Sequence, residues 1–270
     1  MRLLERNIAS IGQRLVVLAP PQASIPSSFL NVSTDHARHA ELVREMQRLR
    51  GSVYLHDGAV QVHQLSPDGR HHTPEDDRSW HLLMLNRHGR VSSCAWYLEH
   101  EPSVSLNSLR VRNCPLNQRP GFKERLRAAI ERELERARAE GLRYAEVGGW
   151  AVSRESRCKA EGLLLAFAAY SLGRRLGGAL GLTTATVRHS SSTILRRLGG
   201  SSLEVDGETV PGYYDEKYRC DMELLRFDSR VPTSRYNGLI ERLKDQLTNV
   251  AVVAPATAAG NMFAELAASA

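Results

Sequence analysis

The residues from Leu142 to Arg188 constrain this chain more than any others. Leu142–Val152 reads as a strand, yet it carries Gly148–Gly149 inside it. Glycines in mid-strand mark a bulge or a close approach of another group to the backbone. A polar loop, Ser153–Glu161, follows. Gly162–Leu176 then reads as a helix whose Leu163, Leu164, Leu165, Phe167, Ala168 and Tyr170 leave little polar surface. A helix apolar on most sides must be buried. Leu182–Arg188 is rich in β-branched residues and returns as a strand.

The remaining elements are arranged around that unit. Met1–Gln13 has the pattern of a short amphipathic helix, after which Pro20, Pro21 and Pro26 break the chain. Thr34 or Asp35 caps a helix through Ala40, Leu42, Val43, Met46 and Leu49, with Gly51 as its expected stop. Val53–Leu55 and Ala59–His63 read as a small hairpin about Asp57–Gly58. Ser66–Asp77 is a loop. Trp80–Leu85 and Val91–Leu98 form a hairpin across Gly89, and Ser103–Val111 is a further candidate strand. Pro120 opens a helix to Glu140, apolar at Phe122, Leu126, Ala129, Ile130, Leu134 and Ala137, with Arg and Glu on its solvated face and Gly141 as its stop. Ser190–Leu198 is a short helix. Leu203–Val205 and Tyr218–Phe227 are strands flanking the Asp206–Gly207 turn and the Pro211–Asp215 loop. Ser234–Leu247 is the last amphipathic helix, and the Ala-rich segment after Thr248 receives no element. Helices and strands alternating in this way predict an α/β (α+β) layer fold on a mixed sheet. The expected organisation is an extension over 1–34, a main domain over 35–229, and a helix with tail over 230–270.

Composition narrows the functional classes. The chain has 270 residues, is 42% hydrophobic and carries a net charge of +6, so it can bury a core. Of its 36 basic residues only Lys123, Lys159, Lys217 and Lys244 are lysine. Such a balance fits an anionic partner. Cys94, Cys114, Cys158 and Cys220 form no CxxC pair and read as free thiols, with no metal site expected. Glu5, Arg6 and Arg14 interrupt any leader-like run, and no stretch is long and apolar enough to span a bilayer. The expectation is a soluble, cytoplasmic protein.

The loop before the buried helix carries the chemistry. A helix start offers unpaired N–H groups and a positive dipole end, which suit phosphate. Arg154, Arg157 and Lys159 add cationic charge there. The pattern Arg157-x-x-Ala160-x-Gly162 after a bulged strand resembles the signature of the GNAT superfamily of N-acyltransferases, Gln/Arg-x-x-Gly-x-Gly/Ala. Ala160 departs from the usual glycine. The following helix, strand, short helix and Leu198–Gly199 pair are similar to the family's order. Within the superfamily the chain resembles N-acyl amino acid synthases and acyl-homoserine-lactone synthases. Arg44, Arg48 and Arg50 ahead of Val53–Tyr54, and Asp76–Asp77 ahead of a hairpin, are similar to their basic and acidic segments. Trp96 stands near where the lactone synthases carry arginine.

That resemblance implies a GNAT-like, mostly antiparallel central sheet with splayed parallel strands and flanking helices. It implies acyl transfer from a pantetheine thioester, on acyl-CoA or acyl-carrier protein, to the amine of a small molecule or amino acid. No cofactor is held permanently. The donor would lie along Trp150, Ala151 and Val152, with its phosphates on Arg154, Arg157, Cys158, Lys159, Ala160, Glu161 and Gly162. Glu146 is the first candidate base and His189 the second. Leu195 stands where the family often has a tyrosine acid, and Tyr213 and Tyr214 are candidates for the acceptor mouth. Two other readings stand beside this one. The chain is a carrier-binding module without turnover, or Leu182–Leu198 is a helix-turn-helix presenting Arg188, Arg196 and Arg197 to DNA.

Overall fold

The computed structural model describes residues 14–157, 160–188 and 190–255. The expected helix at Met1–Gln13, Cys158, Lys159, His189 and the last part of the Ala-rich segment lie outside the described residues. In chain order the elements are β1 Leu15–Leu18, β2 Val32–Thr34, α1 His36–His56, β3 Trp80–Leu85 and β4 Val91–His100. There follow α2 Lys123–Ala139, β5 Arg143–Val152, α3 Glu161–Arg175, β6 Ala179–Thr186 and α4 Ser191–Leu198. The last are β7 Ser201–Ser202, β8 Glu204–Val205, β9 Glu208–Thr209, β10 Tyr213–Asp215, β11 Cys220–Asp228, α5 Ser234–Gln246 and β12 Ala251–Ala254. The architecture is mixed α/β, its strand pairs mostly antiparallel. The chain divides into two compact units, one of Met1–Leu98, Gly149–Arg175 and Leu239–Ala270, the other of Glu99–Gly148 and Leu176–Gly238.

In the first unit the strands run in the order β2-β12-β1-β3-β4. β12 pairs in parallel with β1 on one side, Val16 opposite Ala251, and with β2 on the other, Val32 opposite Val252. β1 and β3 are antiparallel, and β3 and β4 form the expected hairpin, Trp80 opposite Tyr97. Every residue of β1 is buried. A core of Val16, Leu18, Leu42, Met46, Val53, Leu83, Cys94, Ala151 and Val253 joins this ladder to α1. The α1 start is as expected: the Asp35 side chain accepts from Arg38 N at 2.9 Å. In α3 the residues Leu164 to Gly173 are all buried, which explains the missing polar face.

In the second unit β5 and β6 are parallel, in register from Arg143↔Ala179 to Val147↔Thr183. β11 pairs antiparallel with β6, and β10 with β11. The core is built from the buried face of α2 (Leu126, Ala129, Ile130, Leu134) against Tyr144, Leu180, Leu182 and Leu224. The Arg and Glu of α2 point outward in pairs such as Arg136–Glu140, 2.8 Å apart.

Six expectations are corrected. The hairpin at Val53–Leu55 and Ala59–His63 does not form: α1 runs through Gly51 to His56, and Val62–Gln64 is a 3-10 turn. Gly51 is not a stop but a packing position, where an added Cβ would sit 2.2 Å from the Gly69 carbonyl oxygen. Ser103–Val111 is not a strand. It folds as 3-10 turns at Leu106–Ser108 and Arg110–Asn113, because Arg110 N and Val111 N donate to a carboxylate instead of a neighbouring strand. Pro211–Asp215 is not wholly a loop, since Tyr213–Asp215 pairs along β11 as β10. The segment after Thr248 supplies β12. The helix-turn-helix reading fails because Leu182–Thr186 is strand, hydrogen-bonded to β11, and only Ser191–Leu198 is helical.

Candidate active site

The end of β5 is shaped by one glycine. Gly149 has φ +62°, a left-handed conformation that side chains resist. A Cβ there would fall 2.2 Å from Trp96 Cδ1 and 3.2 Å from Arg50 Nη1. The indole and the guanidinium therefore occupy the space that any other residue would need. Cys94 Sγ donates to the Gly149 carbonyl at 3.5 Å. Burial pushes the Cys94 thiol up to about 12, so it acts as a neutral donor. Ala151 is buried, while Trp150 and Val152 are half-buried and Gly162 packs beneath the Trp150 ring. Beyond Val152 the chain is held by Ser153 N donating to Ser92 O at 2.8 Å.

Arg157 Nη2 meets Asp57 Oδ2 at 2.7 Å, and Arg154 is exposed. Glu161 turns inward at the first position of α3. Its carboxylate accepts from Arg14 Nη2 at 2.6 Å and from Ser92 Oγ at 3.0 Å. Burial works against that charge, but bonds from Arg14, Ser156 and Ser92 hold the carboxyl below its usual range. A carboxylate at a helix start is also favoured by the helix dipole. Ala160 O accepts the first α3 bond, from Leu164 N at 2.9 Å.

Behind Gly149 lies a buried charge pair. Arg50 Nη1 and Nη2 donate to Asp76 Oδ1 and Oδ2 at 2.9 and 2.6 Å, and the two side chains are 1% and 0% exposed. Gln47 Nε2 and Thr73 N donate to the same carboxylate, both at 3.1 Å, and Thr73 Oγ1 at 3.3 Å. Burial raises the Asp76 carboxyl, and the Arg50 bonds outweigh it and leave it below the ordinary range. His81 Nε2 donates to the Asp76 carbonyl at 2.8 Å. Complete burial drives the His81 pKa down to about 4, although Asp76 pulls it upward.

That shift has a consequence in acid. The unfolded imidazole titrates near 6.5 and the folded one near 4, so the unfolded state binds the extra proton between those values. Stability from a neutral His81 is complete above the upper value and is lost as pH falls toward the lower. The expected loss is about 3 kcal/mol across that window, relative to an H81Q variant. Urea unfolding at both ends of the window measures it, and parallel losses in the two proteins would contradict it.

In the second unit Glu146 sits on β5, 5% exposed. Its Oε2 accepts from His100 Nε2 at 3.0 Å and from Arg110 N at 2.9 Å, and its Oε1 from Val111 N at 3.2 Å. Tyr144, on the same face, is fully buried; burial and the charges of Glu133 and Glu146 push its hydroxyl well above the ordinary range. On β10 the two tyrosines part. Tyr213 is buried beside Cys114, while Tyr214 is 43% exposed.

The residues named from sequence thus fall in two sets. Trp150, Ala151, Val152, Arg154, Arg157, Ala160, Glu161 and Gly162 belong to the first unit, and Glu146, Tyr213 and Tyr214 to the second. Arg50 and Asp76, noticed in separate segments, form one ion pair. His100 gave no signal in sequence, since nothing local marks a strand-end histidine as the partner of a carboxylate on another strand. No group of three or more His, Cys, Asp and Glu side chains able to hold a metal occurs among the described residues. No described helix is long and apolar enough to cross a membrane.

No protein-family model and no curated protein matches this chain. Among solved structures it is similar to BjaI, a CoA-dependent acyl-homoserine lactone synthase solved with SAM and isopentyl-CoA. That match has 15% identity and a TM-score of 0.53, and covers 92% of this chain and 99% of the other. FeeM, an N-acyl amino acid synthase from uncultured soil microbes, matches with 12% identity and a TM-score of 0.44, over 68% of this chain and 89% of that one. Arylalkylamine N-acetyltransferase 2 from Aedes aegypti matches with 14% identity and a TM-score of 0.44, over 72% and 96%. The likeness to BjaI shows the fold, which is GNAT-like.

Proposed function

We propose that the protein is an N-acyltransferase that moves an acyl group from a pantetheine thioester, acyl-CoA or acyl-carrier protein, to the amine of a small molecule or amino acid. One observation carries this reading. The parallel β5–β6 ladder stops at Val147↔Thr183, yet β5 continues to Val152 through the left-handed Gly149. Backbone groups of β5 beyond the ladder's end are free of that strand partner, and amide groups of an extended pantetheine arm satisfy such an edge. The GNAT-like fold supports the same reading.

In this proposal Trp150, Ala151 and Val152 receive the pantetheine amides. Arg154, Arg157, Cys158, Lys159, Ala160, Glu161 and Gly162 surround the phosphates, with main-chain N–H groups as donors. Glu161 acts indirectly, because its carboxylate is tied to Arg14 and fixes the first turn of α3. Holding amine and thioester together removes much of the entropic barrier. Glu146 supplies the carboxylate of the acid–base machinery, with His189 as the second candidate. Tyr214 is the tyrosine of its pair exposed enough to meet an acceptor.

Arg157 gives the donor test. Its guanidinium already has Asp57, so a phosphate must compete with that carboxylate. Hydrogen bonds to charged groups contribute roughly 1.5–3 kcal/mol. R157A is therefore expected to weaken decanoyl-CoA binding by roughly 10–100-fold, and to leave S-decanoyl-pantetheine, which has no phosphate, unaffected. Calorimetry decides, and equal CoA affinity in the two proteins removes the phosphate assignment. Thiol release from decanoyl-CoA in the presence of a panel of amino acids and amines tests the activity. If the wild-type protein binds the thioester but releases no thiol with any amine, it is a binding module instead.

A further inference from the structure

Both oxygens of the Glu146 carboxylate are engaged. Three N–H groups donate to it, two of them backbone amides at fixed positions, and it is 5% exposed. Donors at fixed positions hold the carboxylate in one orientation. The same arrangement makes it a strong orienter. His100 ends β4 and donates through Nε2, so in the neutral imidazole the other nitrogen, Nδ1, is the one with the lone pair. Nδ1 makes no hydrogen bond among the described residues, and 8% of His100 remains exposed. A carboxylate that fixes an imidazole's tautomer, leaving the far nitrogen open, is the arrangement by which histidine serves as general base. Around Tyr144, neutral by burial on the same strand as Glu146, lie Arg226 and Glu133, whose charges pair at 3.0 Å.

We infer that the general base of the proposed acyl transfer is His100, and that Glu146 is its positioning residue. This rests on the acyltransferase reading. Nδ1 takes a proton from the acceptor ammonium. The freed amine nitrogen bonds to the thioester carbon, and the carbonyl π pair moves onto oxygen. When the carbonyl re-forms, the C–S bond breaks. The second proton on nitrogen goes to the departing thiolate, leaving an amide and a free thiol.

The test pairs H100Q with the wild-type tautomer. Gln keeps a donor near the Nε2 position for Glu146 but cannot carry a proton. With decanoyl-CoA and the amine panel, H100Q is expected to lower kcat by about 100-fold or more and to leave KM for decanoyl-CoA unchanged. E146Q lowers kcat as well, because the imidazole loses its orienter. If H100Q stays within a few-fold of wild type while E146Q falls, Glu146 is itself the base and the inference is overturned. The second measurement needs no turnover. Long-range 1H–15N spectra of the wild-type imidazoles are expected to show His100 protonated at Nε2 and bare at Nδ1. The opposite tautomer overturns the inference whether or not thiol is released. Absence of thiol release by wild type, with the expected tautomer present, removes the acyltransferase reading and the base assignment with it.

Discussion

A D76N variant is expected to be about 3–5 kcal/mol less stable than the native protein, because it leaves the Arg50 guanidinium buried without its counter-charge. The geometry makes this one of the costliest single changes in the chain. Both Arg50 terminal nitrogens are committed to Asp76, at 2.9 and 2.6 Å, and neither side chain has solvent to fall back on. An asparagine oxygen satisfies one N–H, while its amide group points a donor at another. The ion pair is not thereby a net source of stability. Bringing both charges out of water costs several kcal/mol each, so an R50M/D76L double variant is expected to recover most of the loss. Urea unfolding of the three proteins decides it. A D76N variant within 1 kcal/mol of wild type would mean that water reaches the site. The pair's purpose is then positional: with Trp96 it forms the wall against which Gly149 sets the end of β5.

G149A is expected to cost about 2–5 kcal/mol, from two separable sources. Holding a side chain at φ +62° costs roughly 1–2 kcal/mol. The methyl group would also stand 2.2 Å from Trp96 Cδ1, and forcing a packed ring aside costs roughly 1–3 kcal/mol more. A cycle with W96A separates them, since removing the indole relieves the overlap but not the dihedral strain. The two changes should couple by about 1–3 kcal/mol. Donor binding is expected to fall with G149A even where the protein remains folded, because Trp150, Ala151 and Val152 shift with the strand end. Full stability together with unchanged decanoyl-CoA affinity would contradict both parts.

The parts legible in sequence were those whose cause is local. Asp35 caps α1 with its own side chain, the α2 stripe reads directly as its buried face, and the all-round apolar α3 is buried on nearly every side. The misread parts have distant causes. Gly51 looks like a terminator, but what it accommodates is a carbonyl from residue 69. Leu15–Leu18 and Ala251–Ala254 are too short to declare themselves and become strands by pairing with each other and with β3 and β2. Val104, Leu106, Leu109 and Val111 alternate almost as a strand does, yet Glu146 takes the N–H groups of Arg110 and Val111. The same limit governs the site. Glu146 was visible because it stands on a glycine-bearing strand, whereas its three donors come from residues 35 to 46 positions away.

The parallel pairing of Val16 with Ala251, and of Val32 with Val252, also sets a schedule for the growing chain. On a ribosome, Glu99–Gly148 and Leu176–Gly238 are both complete before Ala251–Ala254 is made, so the second unit has all its strands while the first still lacks one. Until then β1, four apolar residues fully buried in the finished protein, has an open edge and no cover on that side. Pairings between such distant segments form slowly, and exposed strand edges associate with other chains. The first unit, which carries the proposed donor strand and helix start, therefore completes its sheet only after translation has passed Ala254, and the β1 edge stays open in the interval.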